Sequence, residues 1–142
     1  MTGQSFLDRL ARGPILCDGA MGTQLYARGA SFESCFESLN LTRPELVSDI
    51  HRAYLAAGAD IIETNTFGAN RFKLAEHNLA AQVAEINAAG AQLARQAVES
   101  AGRTAFVAGS IGPLGVRLAP TGPLTPEEAH AAFREQVTAL CK

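Results

Sequence analysis

Apolar and polar positions follow two periods that alternate along the chain. Short apolar runs at Pro14-Ile15-Leu16-Cys17, at Ile61-Ile62 and at Thr104-Ala105-Phe106-Val107-Ala108 have the length and boundaries of buried strands. Between and after them the apolar residues recur at helical spacing. Leu46, Ile50, Tyr54 and Leu55 mark a helix that opens at Thr42-Arg43-Pro44-Glu45, a cap, a first-turn proline and a glutamate three residues after the cap, and ends near Gly58. Leu74, Leu79, Val83, Ile86, Leu93, Ala94 and Ala97 predict a longer helix from about Arg71 to Ser100, with Gly90 as a place to break or thin it and Gly102 to close it. A last helix opens at Thr125-Pro126-Glu127-Glu128 and is expected to bury Ala129, Phe133, Val137 and Leu140.

The order strand, helix, strand, helix, strand, helix calls for right-handed parallel crossovers, hence an α/β chain with a parallel sheet. Three such units cannot close an eight-stranded barrel, which takes ~250 residues. A complete doubly wound domain is the competing architecture, and it would want about five strands in this length. The expectation is therefore that residues 1–142 form the first three βα units of a (β/α)8 barrel domain. A sheet with both edges open invites pairing with other chains, so the isolated chain is expected to be poorly soluble or oligomeric.

Each strand runs into a polar loop, and in parallel α/β folds that is where ligands are handled. After the first strand come Asp18-Gly19-Ala20-Met21-Gly22-Thr23. Asp18 can hold an ammonium group or orient a ligand as an acceptor, and the glycines let a backbone approach closely; an ordinary turn is the plainer reading. After the second strand, Glu63, Thr64, Asn65 and Thr66 crowd four hydrogen-bonding side chains together. Glu63 suits a general base, an anion that binds ligand, or the partner of a buried arginine. The third strand leads into Gly109-Ser110-Ile111-Gly112-Pro113-Leu114-Gly115.

Charge narrows the classes of ligand. Twelve Lys and Arg against 14 Asp and Glu leave a formal net charge of −2, which gives no footprint for nucleic acid or an anionic membrane. No apolar run reaches the ~18 residues of a membrane span, and Met1 to Arg12 lacks a signal peptide's apolar centre, so a cytoplasmic protein is expected. Cys17, Cys35 and Cys141 are odd in number and without CxxC spacing, which argues against a disulfide framework or a complete zinc site. Cys17 is expected as a small core residue and Cys35 in a loop. His51, His77 and His130 fall on helices, where packing or surface roles are expected.

Three motifs, DGAMGT at Asp18 to Thr23, GADIIETNTFGAN at Gly58 to Asn70 and AGSIGPLG at Ala108 to Gly115, together with the helix from Pro44 to Asp60, resemble the homocysteine S-methyltransferase family. The likeness covers nearly the whole chain in order. It implies a (β/α)8 barrel in which zinc, held by three cysteine thiolates, binds the homocysteine sulfur as a thiolate and presents it to an electrophilic methyl group. It also implies that Asp18 and Gly19 bind the amino acid part of homocysteine, with Thr23 in the same substrate-binding set, and that Glu63, Thr64, Asn65 and Thr66 line the pocket floor. Ser110 and Gly112 would shape that face less directly. The family's zinc cysteines lie in the second half of its barrel, one in a later strand and two in a Gly-Gly-Cys-Cys motif, and none is present here. The zinc ligands are thus expected outside this chain, which alone should not turn over, and the alternative is a non-catalytic remnant that acts at most as a binding fragment. Betaine-using members carry an aromatic residue where this chain has Gly68, which leaves a methylated folate delivered through cobalamin, or a sulfonium such as S-methylmethionine, as methyl source. The remainder of the barrel and fused reductase or cobalamin domains are the implied partners.

Overall fold

The computed structural model describes residues 5–142. Its sheet is built around β1 (Ile61–Glu63), which pairs in parallel with β2 (Phe106–Ala108), Ile62 opposite Val107. The expected first strand is present only as a flanking segment. Cys17 forms a single parallel bridge to Ile61, and the Asp60 and Ile61 amides donate to the Leu16 carbonyl at 2.7 and 3.1 Å. Its outer side meets no further strand among the described residues, which leaves Leu16 59% exposed and Cys17 exposed rather than in the core. The third strand is shorter than expected, starting at Phe106 rather than Thr104. Of the central pair only Ile62 is covered on all sides, while Ile61 is half-buried.

The helices are α1 (Phe6–Leu10), α2 (Met21–Ala27), α3 (Leu39–Thr42), α4 (Pro44–Ala56), α5 (Arg71–Ala75), α6 (Val83–Ser100) and α7 (Pro126–Leu140). Part of the expected N-terminal amphipathic segment, residues 1–4, lies outside the described residues. Leu55, Ala59, Ile62, Ala94 and Ala97 pack β1 between α4 and α6, and Leu25, Val47 and Ile50 join α2 to α4. Proline opens α4 as expected, but Thr42 does not cap it. Its hydroxyl donates to the Ser38 carbonyl and closes α3 instead, so the residue before α4 is Arg43.

The single helix expected over Arg71–Ser100 is three pieces. Asn70 caps α5 through Oδ1, which accepts from the amides of Phe72 and Lys73 at 3.1 Å, and the chain then turns at Asn78, whose φ is +60°. Asparagine tolerates that left-handed conformation better than most residues. A 3₁₀ turn at Ala80–Gln82 leads into α6, which runs unbroken through Gly90. A methyl group at Gly90 would meet Thr66 Cγ2 at 2.6 Å, so this glycine serves close packing rather than a break.

The capping box of α7 forms as read, Glu128 N donating to Thr125 Oγ1 and Thr125 N to Glu128 Oε2. Its buried face does not follow the large apolar residues. Ala129, Ala132, Gln136 and Ala139 point inward, whereas Phe133 and Val137 are exposed and Leu140 is half-buried. Small residues win the inner face because α7 packs tightly against α6. Val137 and Leu140 border an open groove of about 370 Å³ beside β2, with Val107 and Ile111.

Candidate functional site

The three polar loops converge at the carboxyl end of β1 around a cavity of about 350 Å³. Asp18 to Gly22 form one wall, Phe36 and Glu37 a second, and Glu63 to Phe67 with Ser110 the floor and far side. No Lys or Arg lines it, while three carboxylates do. Of the residues singled out in the sequence, Asp18, Gly19, Glu63, Thr64, Asn65 and Thr66 are brought together here. Thr23 is not: it is an exposed residue of α2, the helix that begins within what reads as a loop.

Asp18 is half-buried, and its Oδ2 accepts from the Glu63 amide at 3.0 Å. Its carboxyl is pushed up to about 6, chiefly by burial, with the charge of Glu63 adding and the Glu63 N–H opposing. Glu63 itself is exposed, accepts from Ser110 Oγ at 3.1 Å, and has no arginine within salt-bridge reach among the described residues. Gly19 lies close against Tyr54: a Cβ there would stand 3.0 Å from the phenol oxygen, which donates to the Ala20 carbonyl at 3.0 Å. The missing side chain at this position thus also makes room for a helix side chain, while Gly19 remains in the cavity wall.

Thr64, Asn65 and Thr66 are almost fully buried and spend their side chains on the protein. The hydroxyls of Thr64 and Thr66 bond each other at 2.6 Å, Thr66 Oγ1 donates to the Ser110 carbonyl, and the Ser110 amide donates to Thr64 Oγ1. Asn65 Nδ2 donates to the Phe36 carbonyl at 2.8 Å and to Asn40 Oδ1 at 3.0 Å. The floor is therefore a knitted polar layer whose shape, more than its free acceptors, faces the cavity. Gly112 lets the third loop lie on Phe67, where an added Cβ would stand 2.7 Å from ring and carbonyl.

Glu37 was missed by sequence reasoning. Its Oε1 accepts from the Gly68 amide at 2.7 Å, and a Cβ at residue 68 would lie 2.6 Å from that oxygen, so Gly68 is the seat of this carboxylate. Asn40, Asn87 and Gln136, all buried amides behind the floor, were missed as well. The available signal was a polar residue inside an otherwise small and apolar helical stripe, as at Gln136 between Ala132 and Ala139.

The metal expected from the family likeness does not fit these residues. Cys35 is buried with its thiol donating toward Glu37 Oε2 at 3.6 Å and is pushed up by that burial, while Cys17 and Cys141 are exposed. Among the described residues no three His, Cys, Asp or Glu side chains gather to hold an ion.

The sequence profile of the family described as homocysteine S-methyltransferase matches residues 15–142. The chain belongs to the homocysteine S-methyltransferase family. Methionine synthase of Mycobacterium tuberculosis is 40% identical over 141 residues, covering 93% of this chain and 11% of that protein. Methionine synthase of Mycobacterium leprae is 35% identical over 137 residues, again covering 11% of its length. Among solved structures, the metallated form of the homocysteine methyltransferase MmuM from Escherichia coli superposes with a TM-score of 0.79 at 32% identity, over 94% of this chain and 52% of that one. The apo form of the same enzyme gives 0.68 over 47% of its chain. The chain thus spans about a tenth of the curated relatives and about half of the structural one. Its α/β fold is that of a homocysteine S-methyltransferase in the part that matches, with the motifs at Asp18, Glu63 and Ser110 on one face.

Proposed function

We propose that this chain supplies the amino-acid-binding part of a homocysteine S-methyltransferase barrel, in an enzyme that moves a methyl group from a donor to the homocysteine sulfur to give methionine. The observation that carries the reading is the convergence of Asp18, Glu37 and Glu63 on one cavity with no positive side chain in its wall, in a chain of this family. An ammonium group is the natural complement of such a wall. Asp18 is assigned the amino group of homocysteine, Gly19 the close approach of the main chain, and Glu63 with the Thr64–Thr66 layer the floor. In the reaction the sulfur lone pair forms the new bond to the methyl carbon while the bond from methyl to donor breaks, its electron pair leaving with the donor.

A zinc ion that would hold the sulfur as thiolate has no ligand set here, so on this reading it and the remainder of the barrel come from outside residues 5–142. The dispersal of the three thiols favours a second reading for the chain by itself, a fragment that binds without turnover. Three free cysteines suit a reducing cytoplasm. The methyl donor is assigned as a non-betaine one, because betaine-using members of the family carry an aromatic residue where this chain has Gly68, whose place is taken here by the Glu37 carboxylate. Methylcobalamin charged from a methylated folate, or a sulfonium, meets that condition.

Calorimetric titration tests the assignment. L-homocysteine is expected to bind, its desamino analogue and the Asp18→Asn variant to lose about tenfold or more, as fits one charge-assisted hydrogen bond. Affinity should also fall as the pH drops through about 6, where Asp18 takes up its proton. Equal binding of the two ligands, or an affinity indifferent to pH across that range, would sink the reading.

A further inference from the structure

The polar floor is held from behind by primary amides, which come from three helices that line no part of the cavity. Gln136 lies in α7, wholly buried, and its Nε2 donates to the Thr66 carbonyl at 2.8 Å and to Asn87 Oδ1 at 3.2 Å. Asn87, from α6, donates in turn to the Ala69 carbonyl at 2.7 Å, and Asn40, from α3, to the Asn65 carbonyl at 2.8 Å. The buried carbonyls of the loop after β1 are thus held by amides from three different helices. A loop has no ladder to pair them, and an unpaired buried carbonyl is costly. Packing alone would not have placed a glutamine there, since its neighbours on the inner face of α7 are alanines.

The contact reaches the cavity through Thr66. Once its carbonyl is held, its hydroxyl meets Thr64 Oγ1 and the Ser110 carbonyl, and Ser110 Oγ fixes Glu63 Oε2. The Oε1 of Gln136 has no partner among the described residues, so this side chain acts on the loop as a donor only.

We propose that Gln136 is a positioning residue of the ligand site, setting through the Thr66 carbonyl the arrangement of Thr64, Thr66 and Ser110 that orients Glu63 and closes the floor beneath the ligand. The proposal rests on the amino-acid reading of the cavity given above. It ties α7, in the third βα unit, to the chemistry of the second.

The test uses L-methionine, which has no ionising thiol, titrated into the wild-type chain, Gln136→Met and Gln136→Glu. Backbone amide exchange of Asn65 to Ala69 is followed in each. Q136M removes the donor at similar volume and is expected to weaken binding roughly five- to tenfold, the worth of one buried hydrogen bond. In Q136E the side chain donates only while protonated. Its dissociation constant relative to wild type should therefore be raised about tenfold near pH 8.5 and approach unity near pH 5.5. A ratio that does not change with pH, or unaltered binding in Q136M, would overturn the assignment; if Q136M does not fold, the Q136E ratio decides. Failure of the wild-type chain to bind L-methionine would instead sink the amino-acid reading. Loop exchange then still decides the positioning: faster exchange at Asn65 to Ala69 than in α4 upholds it, and unchanged exchange overturns it.

Discussion

The two ends of β1 each carry a carboxylate, and they are treated in opposite ways. At the amino end Asp60 accepts from Arg9 Nη2 at 3.1 Å, from Arg103 Nη2 at 3.3 Å and from the Leu16 amide at 3.1 Å, so its charge is compensated and it pins the flanking segment to the sheet. At the carboxyl end Asp18 and Glu63 face a cavity with no arginine or lysine, and Asp18 is pushed up to about 6. The same residue type is an anchor where cations meet it and an acceptor without a counter-charge where none does. That asymmetry assigns structure to one end of the strand and ligand chemistry to the other, in line with the rule for parallel α/β folds.

The largest expected effect comes from breaking the anchored end. Asp60→Ala removes the carboxylate from two partly buried guanidiniums, which keep only main-chain carbonyls, and leaves the Leu16 amide without its side-chain acceptor. A loss of about 2–3 kcal/mol in unfolding free energy is expected. Raised salt should narrow the gap between variant and wild type, because the pairs are partly exposed. Thermal or urea unfolding at two ionic strengths checks it, and a variant as stable as the wild type would mean that Asp60 is not the anchor.

At the other end the sign reverses. A carboxyl raised from 3.8 to about 6 in the fold contributes stability that is complete below the unfolded value and is lost as pH rises through the folded one. At neutral pH the ionised, desolvated Asp18 therefore costs the fold free energy. Asp18→Asn keeps an acceptor for the Glu63 amide and removes the charge. It should stabilise by about 1 kcal/mol near pH 8, the value being discounted for solvent screening of a half-buried group. The gain should vanish near pH 4, while ligand affinity falls. A variant that is both less stable and unaltered in binding would remove the contrast between the two ends.

The sequence revealed the loop face readily, because strand ends rich in Asp, Glu, Thr and Asn stand out against apolar runs such as Ile61-Ile62. It revealed α4 and α7 through proline and capping chemistry, which are local. What it concealed depends on neighbours distant in the chain. The inner face of α7 is set by how near α6 can come, so Ala132 and Gln136 are buried while Phe133 and Val137 are exposed, although a hydrophobic stripe favours the latter. The break before α6 hides in Asn78, a residue whose left-handed turn has no period to announce it. Glu37 escaped notice because its role depends on the Gly68 amide, 31 residues away. Thr23 shows the converse: motif membership placed it in the site, and the start of α2 turned it outward.

The smallest expected effect is also the finest probe of the open end. Glu63 is exposed and held by one hydroxyl, so Glu63→Gln should change stability by no more than about 0.5 kcal/mol. Its charge nevertheless contributes to raising Asp18, after burial and against the opposing Glu63 N–H, which the glutamine leaves in place. Removing that charge lowers the Asp18 pKa, and the pH at which ligand affinity falls should move below its wild-type position while the fold is undisturbed. A titration of binding against pH in both proteins reads this directly. An unmoved midpoint would mean that burial alone raises Asp18, and the two carboxylates would then be neighbours in the cavity without acting on each other.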